Sequence, residues 1–282
     1  MDLSFVPQAN WESPCDNSRM DKCQFSEFSY GYCLTEDLIV WQGTPLTAAP
    51  VFPSLIEEGQ PGVGYDVRFD RPGTPLFLQF KLVHQMVRGT AKEAKSGHFQ
   101  PPFYRMHLRS RHISDQHQSL LSLEQAGNDV FYVAPGFHTT MELNTNYAQR
   151  RVWHRSFRIT PTLIGLLPDD KPHHVTFQQP AGAWRFYSDE STREGRAPET
   201  EQITALLRKK ITERGQRNLR DQIADLDTSL VAIVNARNKE RGEGERINIE
   251  ELEEHDNPLR RVAYIARQFF DCQMLFVTLR QP

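Results

Sequence analysis

The sequence predicts an α/β fold, a mixed central sheet flanked by helices, with a helical C-terminal portion. Three observations predict it. Tyr65, Val67 and Phe69 alternate with Gly64, Asp66 and Arg68, and after the turn residues Asp70 to Thr74 a second run alternates Leu76, Leu78 and Phe80 with Phe77, Gln79 and Lys81. Residues 62–81 therefore read as a hairpin of half-buried strands. A helical pattern over 114–127, closed by Gly127, runs into the apolar stretch Val130, Phe131, Tyr132, Val133 and Ala134. A helix feeding a fully apolar strand marks a crossover onto a neighbouring strand. Beyond residue 199, apolar side chains recur at helical spacing for most of the remaining chain.

Bulk properties set the limits. With 282 residues, 38% hydrophobic and 24% charged, the chain can bury one large core, or a core and a smaller domain. A formal net charge of −3 argues against coating nucleic acid by bulk electrostatics and leaves room for one local basic face. The four cysteines form no C-x-x-C pair, and no apolar leader follows Met1, so reduced thiols in a cytoplasmic protein are expected. No apolar run approaches the length of a membrane span.

In chain order, residues 1–24 are polar, with Pro7 and Pro14, and read as an extended arm. The α/β core is expected over 25–187. Phe25, Phe28 and Tyr32 recur at helical spacing and predict a helix that packs an aromatic face on the sheet. Residues 41–61 hold four prolines and must loop, with one helical turn at 54–58 in which Ser54 caps and Glu57 is its partner acid. Residues 82–115 form a basic insert: Arg88, Lys92, Lys95, Arg105, Arg109 and Arg111 face only Glu93 and Asp115, with Phe99, Phe103 and Tyr104 between them. After the 114–127 helix and the 130–135 strand come a strand over 152–159 and a hairpin of 173–177 with 183–187. Asp169, Asp170, His173 and His174 read as ordinary turn composition beside it. Residues 188–198 are a linker by composition. The 199–282 region is helical, broken near Gly215, with a further amphipathic helix over 259–270 after Asn257 and Pro258 and a closing strand over 274–279. These helices could form a homodimer or grip a partner protein, or form the outer layer over the sheet; no heptad is sustained, which favours packing.

The chemistry sits in the predicted hairpin. Asp66, Gln79 and Lys81 project from one face of neighbouring strands, and a carboxylate, an amide oxygen and an ammonium together could hold a hard divalent cation and orient a water. An acid in a G-x-G-x-D strand followed on the next strand by Q-x-K resembles the PD-(D/E)XK, restriction-endonuclease-like nuclease superfamily, and most of all its Mrr-type branch, in which Gln replaces the second acid. The resemblance covers roughly residues 25–135. It implies a restriction-endonuclease-like core in which Asp66, Gln79 and the main-chain carbonyl of Phe80 hold Mg²⁺ (or Mn²⁺) while Lys81 orients the attacking water. It also implies a further acid, for which Glu27 on the N-terminal helix and Glu58 both qualify. Gln116 or Gln118 on the following helix would touch substrate, and Lys92, Arg105, Arg109 and Arg111 would grip the phosphate backbone. Gln in place of an acid removes one negative charge, so metal affinity should be weaker unless Glu27 or Glu58 compensates. The function implied is metal-dependent hydrolysis of phosphodiester bonds in nucleic acid, DNA first, in a restriction or anti-phage defence setting. The alternative is a catalytically inactive nuclease-fold module that binds nucleic acid or assembles with a partner protein.

Overall fold

The computed structural model describes residues 21–42, 73–111, 114–179, 182–188, 192–214, 219–240 and 257–278. Several expected features lie outside them: most of the 1–24 arm, most of the 41–61 loop including the 54–58 turn with Glu58, the 62–69 strand with Asp66, and the break near Gly215.

The central strand is β2 (Gly73–Phe80). It pairs antiparallel with β10 (Gln273–Thr278) along one edge and parallel with β5 (Asp129–Pro135) along the other. β6 (Ser156–Ile159) lies antiparallel to β5 and completes a four-stranded sheet in the order β10-β2-β5-β6. Both edges of β2 are thus filled, by β10 and β5, where the sequence predicts a hairpin partner from residues just upstream. The closing strand does return to the sheet, alongside β2.

The alternation expected along β2 holds. Leu76, Leu78 and Phe80 join one apolar cluster with Tyr30, Leu34 and Leu38 of α1 (Glu27–Gln42) and Ile203 and Leu207 of α6 (Thr200–Arg214). Phe77 points the other way, into a second cluster. β5 is buried along its whole length, as a parallel strand covered on both faces must be.

Helix α1 forms where expected but turns a different face inward. Tyr30, Leu34 and Leu38, spaced by four, are the buried stripe, while Phe28 and Tyr32 are 59% and 49% exposed. The cause is where the helix starts: the Ser26 hydroxyl accepts the Ser29 N–H at 3.0 Å, leaving Phe25 ahead of the helix, tilted against Phe137. Tyr30 then reaches across to donate its hydroxyl to Ser156 Oγ at 2.7 Å.

From Phe80 the chain leaves this sheet through Lys81 and Leu82 and enters a second one. That sheet is antiparallel throughout and carries β1 (Asp21–Lys22), β3 (Val83–Met86), β4 (Phe103–Leu108), β7 (His173–Phe177), β8 (Ala183–Tyr187) and β9 (Thr192–Arg196), ordered β1-β3-β4-β7-β8-β9. The basic segment 82–115 supplies β3, the short helix α2 (Lys92–Lys95) and β4, the two strands being built into this sheet. The composition-based linker at 188–198 likewise contains β9, an edge strand whose charged side chains keep its open edge from pairing further.

The second cluster lies between the sheets and the remaining helices. Phe77 and Tyr132 meet Met106, Val175 and Phe186 of the second sheet, Leu120 and Leu123 of α3 (Gln116–Gln125), Leu226, Leu230 and Val234 of α7 (Leu219–Glu240), and Val262, Ile265, Phe269 and Phe270 of α8 (Pro258–Phe270). Asn257 caps α8 by accepting the Leu259 N–H at 2.9 Å. Arg261 of α8 forms a fork on Asp227 of α7. The C-terminal helices thus take the packing role, as an outer layer over shared core. Between β5 and β6, α4 (Thr140–Ala148) is fixed by a capping box of Thr139 and Glu142, and the short helix α5 (Pro161–Ile164) follows β6. No described helix is long and apolar enough to cross a membrane.

Because α7 shares its core with both sheets, Leu230→Ala is expected to cost roughly 2–5 kcal/mol. Urea unfolding should show one transition shifted as a whole. A separate early transition of the C-terminal helices would contradict the shared core.

Candidate active site at the end of the central strand

The site forms where β2 ends. In a strand pointing Leu76, Leu78 and Phe80 one way, Gln79 and Lys81 share the opposite side. The Lys81 N–H donates to Val133 O at 2.9 Å, so β5 still anchors the backbone as the side chain leaves the sheet. Lys81 is only 9% exposed, and its Nζ donates to Gln116 Oε1 at 2.7 Å. Burial pulls the ammonium below the ordinary lysine value, and the charge of Glu27 works against that shift.

Gln116 is the hub. It opens α3, where its main-chain N–H is accepted by Ser114 Oγ at 3.2 Å. Its neighbour His117 is buried between Tyr132 Oη at 3.1 Å and Gly165 O at 2.8 Å, which pins that turn of the helix. Burial pushes the His117 pKa down to about 4, so the imidazole is neutral at pH 7. With Oε1 taken by Lys81, Gln116 Nε2 donates to Gln79 Oε1 at 3.2 Å and to Asp271 Oδ2 at 2.5 Å. Asp271 caps the C-terminus of α8, and its Oδ2 also lies 3.7 Å from Arg109 Nη1. Glu27, in the first turn of α1, remains open to solvent; desolvation by the surrounding atoms raises its carboxyl, with the Lys81 charge opposing.

Of the residues picked out in the sequence, the structure joins Gln79, Lys81 and Gln116 by hydrogen bonds, sets Arg109 beside Asp271, and leaves Glu27 near enough to feel the Lys81 charge. Gln79 Nε2 donates to the Phe80 carbonyl at 3.1 Å, so the oxygen expected to face a cation has a partner within the strand end. Asp66 and Glu58 lie outside the described residues. Asp271 is the residue the sequence reading missed; it lies far along the chain, and only the β10–β2 pairing brings it here. Among the described residues no three His, Cys, Asp or Glu side chains gather at one point. The oxygen donors are the carboxylates of Glu27 and Asp271 and the amide of Gln79, all hard ligands.

The expected phosphate grip is placed differently. Arg105 turns to Glu93, which is fully buried: Nε and Nη2 of the guanidinium meet its two oxygens at 2.6 and 2.5 Å. His174 Nε2 and Thr176 Oγ1 also reach Glu93 Oε1, each at 3.0 Å. Arg105 is thus the counter-ion of a buried acid. Arg111 pairs with Asp170 at 3.2 Å, and Lys92 is exposed on α2. Gln118 lines a cleft of about 430 Å³ with Arg111, Asp115, His117 and Arg237, and Arg237 there is paired to Asp115 at 2.7 Å.

Compared with protein-family models, with curated proteins and with solved structures, the chain has no match.

The Glu93 centre makes a stability prediction. Burial works against its charge, but the hydrogen bonds from His174 and Arg105 outweigh it and hold the carboxyl well below the usual range. A depressed carboxyl stabilises the fold above its ordinary value of 4.5, and that contribution is lost as pH falls below it toward the folded value. Glu93→Ala is expected to cost roughly 3–5 kcal/mol at pH 7, because it removes the buried acid that Arg105, His174 and Thr176 all meet. Urea midpoints between pH 7 and pH 3 should fall more steeply for the parent than for Glu93→Gln.

Proposed function

We propose that this chain is a metal-dependent nuclease of restriction-endonuclease-like type, hydrolysing phosphodiester bonds in nucleic acid, DNA first, in a setting such as restriction or phage defence. The observation that carries the reading is the buried Lys81, held by Gln116 beside Gln79 at the end of a strand that pairs in parallel with its neighbour. A buried ammonium is costly, and an α/β protein that holds one at the carboxyl end of its central strands holds it where such sheets bind ligands.

The donor set fits a small hard cation such as Mg²⁺ or Mn²⁺, since it offers carboxylate and amide oxygens and no sulfur. Gln79 and Glu27 would hold it, with Asp66 in the role the sequence assigns to it. When bound, such an ion supplies Lewis acidity toward a phosphoryl oxygen and lowers the pKa of a bound water. The protein's own groups do the rest. Lys81 carries three N–H donors, of which one is taken by Gln116 Oε1. The other two can face a phosphate oxygen and the attacking water, orienting the water and offsetting the charge that grows on phosphorus oxygens as the bond forms. The lowered proton affinity of Lys81 eases its exchange of a proton with that water. Gln116 keeps the ammonium from swinging out, and Arg109, exposed beside Asp271, would meet a backbone phosphate.

Incubation of the purified protein with supercoiled plasmid and Mn²⁺ tests the reading. Nicking or degradation is expected from the parent, with a loss of roughly a hundredfold or more for Lys81→Ala and a comparable loss for Asp66→Ala. Gln116→Ala should fall between, because it removes only the ammonium's anchor. Equal activity in parent and variants would assign the cleavage to a contaminant. Tight DNA binding by the parent without any cleavage would favour the inactive, nucleic-acid-binding form of the same fold.

A further inference from the structure

We propose that Asp271, delivered by the strand that closes the sheet, is a carboxylate ligand for the divalent cation of this site. The inference rests on the nuclease reading above and adds to it a residue from the far end of the chain.

Three observations point to it. The first is position. β10 runs antiparallel along β2 with Gln273 opposite Leu78, so Asp271, two residues earlier, falls level with the end of β2 where Gln79 and Lys81 emerge. The acid therefore arrives beside the end of β2 from the strand edge that β10 fills.

The second is backbone conformation. Asp271 has φ 47° and ψ 43°, in the left-handed region, at the point where α8 stops. Its N–H donates to Arg267 O at 3.1 Å and the next N–H, of Cys272, donates to Ala266 O at 3.1 Å, the turn that ends many helices. That turn is most easily made by Gly, and after it by Asn. A carboxylate there serves no need of the helix end, whose dipole disfavours negative charge. The side chain has to be accounted for by what it faces.

The third is convergence. Gln116 Nε2 lies 2.5 Å from Asp271 Oδ2 and 3.2 Å from Gln79 Oε1, so two oxygens from different elements aim at one point, presently filled by an amide nitrogen. Two oxygens that share a donor at such distances can share a cation at contacts of about 2.0–2.6 Å once that amide is drawn aside. Arg109 and Lys81 flank the point, the first with Nη1 3.7 Å from Asp271 Oδ2 and the second bonded to Gln116 Oε1. Cation binding is thereby set in competition with the Gln116 amide.

Mn²⁺ binding to the full chain, followed by calorimetry and by the electron paramagnetic resonance of free Mn²⁺, tests this without any turnover. The proteins are the parent, Asp66→Ala, Asp271→Asn and Asp271→Gly. Asn keeps an oxygen and tolerates the left-handed backbone, and Gly suits it better still, so both variants should melt as the parent does or higher. Both are expected to bind Mn²⁺ at least roughly tenfold more weakly. Parent-like Mn²⁺ affinity in the two Asp271 variants, with the loss confined to Asp66→Ala, would overturn the assignment and leave the nuclease reading standing. Absence of Mn²⁺ binding by the parent would overturn both.

Discussion

An ammonium buried at the end of a fully paired strand has to be satisfied, and this requirement shapes the surroundings of Lys81 more than any apolar contact does. The lysine's main chain is committed to β5 through Val133, so its side chain can only follow the strand out of the sheet. Its acceptor, Gln116, must then come from the element covering that end. Parallel pairing of β2 with β5 demands a crossover, and the crossover ends in α3, whose first residue is Gln116. Seating α3 in turn needs His117 locked between Tyr132 and Gly165, and the layer of α7 and α8 over Leu120 and Leu123. The polar hub and the apolar core are thus two descriptions of one packing arrangement. Were Gln116 absent, the ammonium would lose its partner inside the protein and the site its orientation.

The second sheet solves a different electrostatic problem. Its polar face gathers His84, His107 and His174, with ring centroids 4.9 and 5.8 Å apart along the row, beside the Arg105–Glu93 pair. Burial first, and then the neighbouring charges, push the His107 pKa down to about 4, so its imidazole is neutral at pH 7. Glu93 takes three donor residues at once and holds α2 against β4 and β7. A segment that reads as a basic arm for nucleic acid is, in its middle, a neutralised and buried junction between strands.

Much of this was legible in the sequence, and the failures share a cause. Local patterns identified β2, with Gln79 and Lys81 on one side, and also β5, β7, β8, α3, α7 and α8. Each of these depends on periodicity within a short window or on a turn residue such as Gly127 or the Asn257–Pro258 cap. The buried face of α1 was misjudged because aromatic residues occupy both sides of that helix, and only the capping Ser26 sets the rotation. β9 was lost because an exposed edge strand has no apolar alternation to betray it. Glu93 was outvoted by the cations around it, since net charge counts side chains without pairing them. Asp271 could not be found at all: its membership in the site follows from strand order, and its left-handed backbone gives no sign at a residue that is not glycine.

The neighbours of β2 also bear on how the chain acquires its structure. One edge of the strand waits for β5 and the other for β10, which is translated long after it. Closing a loop of that span carries an entropy penalty before any contact rewards it, so the β2–β10 register should be among the slower steps of folding. A nascent chain that has already formed α1, β2 and β5 would still lack the strand bearing Asp271. Until that strand docks, Gln116 lacks the carboxylate that its amide meets in the folded protein.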